Sequence, residues 1–159
     1  MRFHLLDRIV SWEAGKALRG VKRLTSGEEY LADHFPGFPI MPGVMQLQAL
    51  IEAAGWLMRL TDDFRQSVVV LREVKSVKYG SMVRPGQTLD VTVELTARAG
   101  ELNWFKGKGE AEGTQAVQAQ FALCGYNLRE RRPALADRDE AMIGHWRDLL
   151  PLLLGELNR

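Results

Sequence analysis

Residues 34–60 read HFPGFPIMPGVMQLQALIEAAGWLMRL, and they are the most informative segment of the 159-residue chain for predicting its architecture. Its first ten residues include three prolines and two glycines, a composition that predicts a shaped loop rather than a helix or strand. From Val44 to Leu60 apolar residues recur at three- and four-residue steps, which predicts a helix. The polar face of this helix is almost uncharged. We therefore expect a buried loop that leads into a buried helix, with the rest of the protein wrapped around it.

The segments on either side of this helix are rich in β-forming residues. Two strands are predicted before it, and four segments with alternating apolar and polar residues follow it. Turns rich in glycine separate them. One long helix among many antiparallel strands is an α+β pattern in which a sheet curls around the helix. The predicted strands are 5–12, 17–24, 67–79, 88–97, 102–110 and 116–123.

The end of the chain has a different pattern. Residues 129–133 resemble a linker, and Asp137 with Glu140 gives a weak capping-box signal for a helix. Pro151 is expected to kink or restart that helix. We therefore divide the chain into a main domain, 1–127, and a linker with a C-terminal amphipathic helix, 128–159. The apolar face of this helix comprises Met142, Trp146, Leu149, Leu150, Leu153 and Leu157.

Composition excludes several classes of protein. The net charge of +1 argues against a nucleic-acid binder, which normally has a strong basic excess. The charged start of the chain does not resemble a signal peptide, and a single cysteine, Cys124, fits a reducing compartment, so we expect a cytoplasmic protein. The uncharged stretch 34–51 has too many prolines and glycines for a membrane span.

Motifs for cofactors and metals are missing from the sequence. There is no glycine-rich dinucleotide or phosphate loop. The three histidines, His4, His34 and His145, lie far apart in the sequence and have no paired cysteines. We therefore expect neither a cofactor nor a metal site.

His34 is the first candidate for a catalytic residue. Rigid prolines and flexible glycines follow it, which is how a loop fixes one side chain in an unusual position. A structural histidine in a tight turn is the alternative interpretation.

Glu52 is the second candidate, because it is the only formally charged residue from His34 to Met58. A carboxylate on an uncharged helix is costly unless it is paired or used, and burial would raise its pKa. Gln48 lies one turn before it on the same face. The alternatives are a solvated face or a partner such as Arg59 or Arg72.

Gly43 is the third candidate, at the predicted start of the helix. Its unobstructed N–H lies at the positive end of the helix dipole, where it can hold a carbonyl oxygen or a developing oxyanion. A glycine that only permits the bend into the helix is the alternative. A base at His34, an oxyanion site at Gly43 and a polar pair on the helix together suit proton abstraction beside a thioester carbonyl.

The run from His34 to Val44 closely resembles the active-site loop of the (3R)-hydroxyacyl-acyl carrier protein dehydratases, the FabZ/FabA-like family. The resemblance covers roughly residues 3–126. It includes LLDRI at 5–9, VKY at 77–79, RPGQTL at 84–89 and WFKG at 104–107. It implies a hotdog fold and a dimer. Each of the two sites would take a histidine from one chain and an acid from the helix of the other.

The resemblance assigns roles residue by residue. His34 matches the histidine that removes the proton next to the thioester, and Gly43 matches the glycine whose amide faces the thioester oxygen. The family acid, fourteen residues after the histidine, is replaced here by Gln48. Glu52 stands where the family often has glutamine, so acid and amide are exchanged along one helical face. An amide cannot deliver a proton at neutral pH, and losing a positioned acid costs on the order of 10²–10⁴ in rate.

Three functions therefore remain open at this point. The chain is a dehydratase with Glu52 as the acid, a catalytically impaired subunit that binds acyl groups or regulates a partner, or a hotdog thioesterase. The expected ligand is an acyl thioester on acyl carrier protein or coenzyme A. Basic residues at 129, 131 and 132 either dock an acidic carrier protein or form a solvated linker.

Overall fold

The computed structural model describes residues 4–155. Along the chain there are two strands, two helices, four more strands and a final helix. They are β1 (Arg8–Glu13), β2 (Ala17–Arg23), α1 (Tyr30–Asp33), α2 (Gly43–Thr61), β3 (Val68–Tyr79), β4 (Thr88–Ala99), β5 (Leu102–Ala111), β6 (Thr114–Tyr126) and α3 (Ala136–Leu154).

The six strands form one antiparallel sheet in the order β1-β2-β4-β5-β6-β3. Tight turns join β4 to β5 and β5 to β6, because Gly100 and Gly113 adopt positive φ there. The strand β3 reaches its place beside β6 after the chain has passed through α2. The two outer strands are therefore β1 and β3.

The core lies between the sheet and α2. Ala53, Ala54 and Leu57 of α2 are each at most 1% exposed. The sheet contributes further buried side chains, including Val93, Phe105 and Phe121, and the last two stack with ring centroids 5.9 Å apart. The prediction of an antiparallel sheet around one long helix is confirmed.

The loop between α1 and α2 differs from the prediction. We expected it to be buried, but Phe35 and Phe38 are 60% and 47% exposed in the protomer. Proline and glycine predict the shape of a loop, but they do not determine what packs over it. The first strand also begins later than predicted, at Arg8.

The C-terminal helix forms as predicted, but its ends differ. The Asp137–Glu140 capping box is wrong: the helix is entered from a 3₁₀ turn at Pro133–Leu135, and no side chain caps it. A capping box forms instead between Asn127 and Glu130. The helix does not restart at Pro151, because the carbonyl that loses its partner lies in an exposed turn near the helix end. Leu157 of the predicted apolar face lies outside the described residues.

Asp139 attaches α3 to the sheet. This fully buried carboxylate accepts hydrogen bonds from the backbone N–H groups of Leu128 and Arg129, at 2.8 and 2.9 Å, and from the Ser67 hydroxyl. The Arg129 guanidinium also donates to it, at 3.0 Å. Burial opposes ionisation, but these four donors together hold the pKa of Asp139 well below its usual range. Arg129 therefore has a structural role, whatever the neighbouring basic residues do.

We expect Asp139→Asn to loosen α3, because an amide group would face donors that need an acceptor. The midpoint of thermal unfolding should fall, and proteolysis of the 127–136 segment should become faster. The lowered pKa means that the ionised carboxylate stabilises the fold above about pH 4, and that this stabilisation is lost as the pH falls further. Asp137→Asn, at an exposed aspartate of the same helix, is the matched control and should change both measurements less.

Within residues 4–155, no helix combines the length and the apolar composition needed to cross a bilayer.

Candidate active site

His34 lies at the C-terminal end of α1, where the chain leaves the helix for the proline-rich loop. Its imidazole is half-buried and packs edge-on against Phe35, with ring centroids 4.5 Å apart. Phe35 adopts φ of 50°, a left-handed conformation that costs a non-glycine residue free energy. Such strain is concentrated at functional sites, so the backbone here supports a role for His34 beyond a simple turn.

Gly43 is the first residue of α2, as predicted from its place before the helix. No acceptor for its N–H is found among the described residues, which leaves this donor free at the positive end of a 19-residue helix. A Cβ at this position would lie 3.0 Å from the ring of Tyr79. Glycine therefore lets the end of β3 approach the helix start while the N–H stays available.

Gln48 and Glu52 line the same cavity, which has a volume of about 170 Å³. It lies between the middle of α2, the strands β3 and β6, and the helix α3. The sequence prediction that these two side chains share one face of α2 is consistent with this arrangement. The described residues that line the cavity are His4, Gln48, Ile51, Glu52, Gly55, Arg59, Val69, Leu123 and Trp146.

Glu52 is held by the backbone of the segment before β1. One carboxylate oxygen accepts a hydrogen bond from the N–H of Leu5 at 2.8 Å, and no described residue bonds to the other. Burial raises the pKa of Glu52 to about 7, although the Leu5 N–H and the positive charge of Arg59 both lower it. A carboxyl group with this pKa is protonated in about half of the molecules at neutral pH, so it can donate a proton where Gln48 cannot.

Arg59 contributes to the cavity in a way the sequence did not indicate. We considered it only as a partner for Glu52, yet the two form no direct ion pair among the described contacts. Its guanidinium instead lies over Trp146 of α3, 4.1 Å from the ring centroid, and 5.8 Å from Trp56. The other proposed partner, Arg72, is exposed on β3. The sequence feature that could have indicated this role of Arg59 is the presence of an arginine within an apolar helix.

The protomer does not bring all four candidates to one place. Gln48 and Glu52 share the cavity, whereas neither His34 nor Gly43 is among its described lining residues. His34 and Gly43 lie at the two ends of the exposed loop. The four candidates therefore form two separate groups on one protomer, His34 and Gly43 at the ends of the loop, and Gln48 and Glu52 at the cavity.

Comparison with known proteins identifies the family. The FabA-like domain matches residues 1–120. A relative from Janthinobacterium sp. (strain Marseille), named 3-hydroxyacyl-[acyl-carrier-protein] dehydratase FabZ, is 33% identical over 135 residues, which are 82% of this chain and 85% of the relative. A relative of the same name from Erythrobacter litoralis (strain HTCC2594) is 36% identical over 119 residues, 74% of this chain and 79% of the relative.

Solved structures share the architecture at low sequence identity. A chain of the dehydratase heterocomplex ApeI:P from Xenorhabdus doucetiae aligns with a TM-score of 0.58 at 19% identity, over 73% of this chain and 96% of that one. The protein smu.793 from Streptococcus mutans UA159, bound to acetyl CoA, aligns with a TM-score of 0.60 at 15% identity, over 79% and 92%. These similarities show the fold alone.

The fold is thus the expected hotdog fold, with α3 added beyond the matched domain. The loop, the start of α2 and the polar face of that helix all lie within the matched residues. The chain belongs to the FabA-like family that includes the FabZ 3-hydroxyacyl-[acyl-carrier-protein] dehydratases.

Proposed function

We propose that the protein is a hydro-lyase that removes water from a 3-hydroxyacyl thioester carried by acyl carrier protein, giving the trans-2-enoyl thioester of fatty acid biosynthesis. The observation that carries this proposal is Glu52. A half-buried carboxyl group whose pKa is raised to about 7 would supply, one turn later on α2, the proton donor that Gln48 lacks. The relatives named FabZ support the substrate class.

In the proposed reaction His34 removes a proton from the carbon next to the thioester carbonyl. Negative charge then develops on the thioester oxygen, where the free N–H of Gly43 stabilises it. Glu52 gives its proton to the 3-hydroxyl group, which leaves as water while the carbon–carbon double bond forms. Gln48 positions that hydroxyl by hydrogen bonding. His34 ends protonated and Glu52 ionised, so the enzyme is restored when the proton moves back between them through solvent.

The position of the acid changes the position of the substrate. Glu52 lies four residues beyond Gln48, about 6 Å along the helix axis at about 1.5 Å per residue. The reacting carbon must therefore enter further along α2 than in a relative whose acid is at the Gln48 position. The cavity lined by Gln48 and Glu52 supports this placement.

We also propose that the active enzyme is a homodimer in which His34 of one protomer approaches the cavity of the other. Two observations support this arrangement. The outer strand β3 has unpaired backbone groups along one side and carries exposed Val70, Leu71 and Val74. The loop residues Phe35 and Phe38 are exposed beside His34. Pairing of β3 with its copy would cover such a surface with two-fold symmetry.

The dimer proposal predicts the effect of a charge on β3. Val74→Asp should convert the dimer to a monomer and remove nearly all dehydratase activity, because a buried unpaired carboxylate is costly. Light scattering coupled to gel filtration measures the mass. Val10→Asp, at a similarly exposed valine on the other outer strand β1, is the matched control and should leave both mass and activity unchanged. A Val74→Asp variant that stays dimeric would contradict the proposed interface.

The function itself is tested by incubating the protein with an enoyl thioester and following its hydration, the reverse reaction. We expect hydration without release of free thiol. Release of thiol instead would identify a thioesterase. Binding of the acyl carrier protein substrate without any reaction would identify an acyl-binding subunit. We place the enzyme in the cytoplasm, where a chain with the single cysteine Cys124 stays reduced.

A further inference from the structure

The guanidinium of Arg59 is buried and forms no direct ion pair among the described residues, although Glu52 in the same cavity is close enough for the two charges to interact. Arg59 is 8% exposed, and its Nε has no hydrogen-bond partner. None of the described residues accepts a hydrogen bond from its other nitrogens. A buried N–H donor without an acceptor is costly, and the guanidinium borders the cavity, so a site of this kind calls for a ligand that supplies oxygen atoms.

The packing around Arg59 directs these donors into the cavity. Trp146 covers one face of the guanidinium at 4.1 Å, which leaves the N–H groups in the plane of the group free. The side chain folds back along α2, and its Nη1 lies 3.0 Å from where a Cβ at Gly55 would be. Gly55 thus provides the space that Nη1 of the guanidinium occupies.

The cavity has chemically different ends. Gln48 and Glu52 form the end where we place the reaction. Val69, whose Cγ1 is 3.8 Å from the Cβ position at Gly55, contributes with Ile51 and Leu123 an apolar wall. The guanidinium lies at the level of Gly55. This level is about 4.5 Å beyond Glu52 and about 10.5 Å beyond Gln48 along the axis.

From this arrangement we infer that the cavity binds the far end of the acyl chain, and that Arg59 selects acyl groups that end in a carboxylate. The inference rests on the proposed function for the reacting end of the substrate. A planar guanidinium can donate two parallel hydrogen bonds to a carboxylate, whereas a terminal methyl group would leave it without an acceptor. An extended chain advances roughly 1.2 Å per bond. Roughly four bonds therefore span the distance from Glu52 to the level of the guanidinium, and roughly nine bonds span the distance from Gln48.

Arg59 keeps its charge in this setting. Burial lowers the pKa of Arg59 to about 10, and the charge of Glu52 opposes that change, so the guanidinium is cationic at neutral pH. A bound carboxylate would also favour the protonated form of Glu52, because two negative charges in one cavity repel each other. The same ligand would therefore satisfy Arg59 and keep the acid ready to donate.

Trp146 belongs to α3, which lies beyond the matched FabA-like domain. Trp146 is thus a contribution from outside the matched domain to the packing of Arg59, which lies within that domain. Selection of the acyl terminus would therefore combine a residue of the domain with a residue of the segment that follows it.

The test uses two 3-hydroxyacyl pantetheine thioesters of equal chain length, one ending in a carboxylate and one in a methyl group. We expect the wild-type protein to favour the carboxylate substrate by about tenfold or more in kcat/KM, and Arg59→Gln to abolish or reverse this ratio. A general effect of the substitution on Glu52 changes both rates and cancels in the ratio. Arg147→Gln, which removes another guanidinium stacked on a ring, Phe64 at 5.6 Å, is the matched control and should retain the preference.

A binding measurement separates this inference from the proposed reaction. A linear dicarboxylate should raise the melting temperature of the wild-type protein more than the monocarboxylate of equal length, and Arg59→Gln should remove the difference. This result supports the site even if the protein does not catalyse dehydration. Equal rates for the two thioesters together with equal shifts for the two acids would overturn the inference. An Arg59→Lys variant, which keeps the charge, should retain part of the preference if the first variant unfolds.

Discussion

Replacing His34 with alanine should lower the rate of enoyl thioester hydration by on the order of 10²–10⁴, because its imidazole is the proposed base that exchanges the proton next to the carbonyl. The effect should lie mainly in kcat, because the proposed role of the imidazole is to act on the reacting atoms and not to bind the rest of the acyl chain. Steady-state assays with a fixed acyl carrier protein thioester measure it.

His145→Ala is the matched control for His34→Ala. His145 is an exposed histidine on α3 that does not line the cavity, so hydration should continue at the wild-type rate. Circular dichroism should show the same fold for both variants, because His34 forms no hydrogen bond among the described residues. If His34→Ala hydrated the thioester at the wild-type rate, the proposed base would be wrong.

The exchange of acid and amide on α2 gives the second large effect. Glu52→Gln should reduce hydration by on the order of 10²–10⁴, because neither position then carries a proton donor. The fold should survive, since an amide oxygen still accepts the hydrogen bond from the Leu5 N–H. Glu94→Gln, at an exposed position of β4, is the control and should not change the rate.

The pH dependence identifies Glu52 more directly than the rate alone. The proton donor must be protonated, and its pKa is raised to about 7. Dehydration should therefore slow as the pH rises through about 7, and Glu52→Gln should lack this descending limb. A wild-type profile that stays flat from pH 6 to 9 would be inconsistent with Glu52 as the acid.

The double variant Gln48→Glu with Glu52→Gln tests which position the substrate uses. It restores the arrangement implied by the family resemblance, so we expect it to regain activity that Glu52→Gln lacks. An inactive wild-type protein that becomes active on Gln48→Glu alone would instead identify a catalytically impaired acyl-binding subunit. The two results are distinguished in the same hydration assay.

Much of the fold could be predicted from local sequence pattern. The apolar spacing from Val44 to Leu60 predicts α2 to within a residue at each end, because a helix packed on a sheet needs an apolar stripe. Alternation predicts the strands, although β6 extends further than expected, through Gly125 and Tyr126. The capping box at Asp137 was wrong because the preceding 3₁₀ turn, which depends on Pro133, already supplies the helix start.

The candidate site was predictable only in part. His34, Gly43 and Glu52 are recognisable because each departs from what its local element needs, as a histidine among prolines, a glycine at a helix start and a charge on an otherwise uncharged stretch of helix. The role of Arg59 could not be recognised from the sequence, because Trp146 reaches its guanidinium only when α3 folds onto the end of α2. Contacts between distant segments leave no local pattern.

The two ways in which α3 is held have an evolutionary consequence. Asp139 ties the helix to the turn before β3 and to the segment after β6, whereas Trp146 packs against Trp56 of α2 with ring centroids 5.6 Å apart. Substitutions at the cavity end of α3 can therefore change the wall around Arg59 while Asp139 holds the helix and the identities of His34, Gly43 and Glu52 are unchanged. A lineage could acquire a new acyl preference by altering a tail, with the ancestral chemistry left intact.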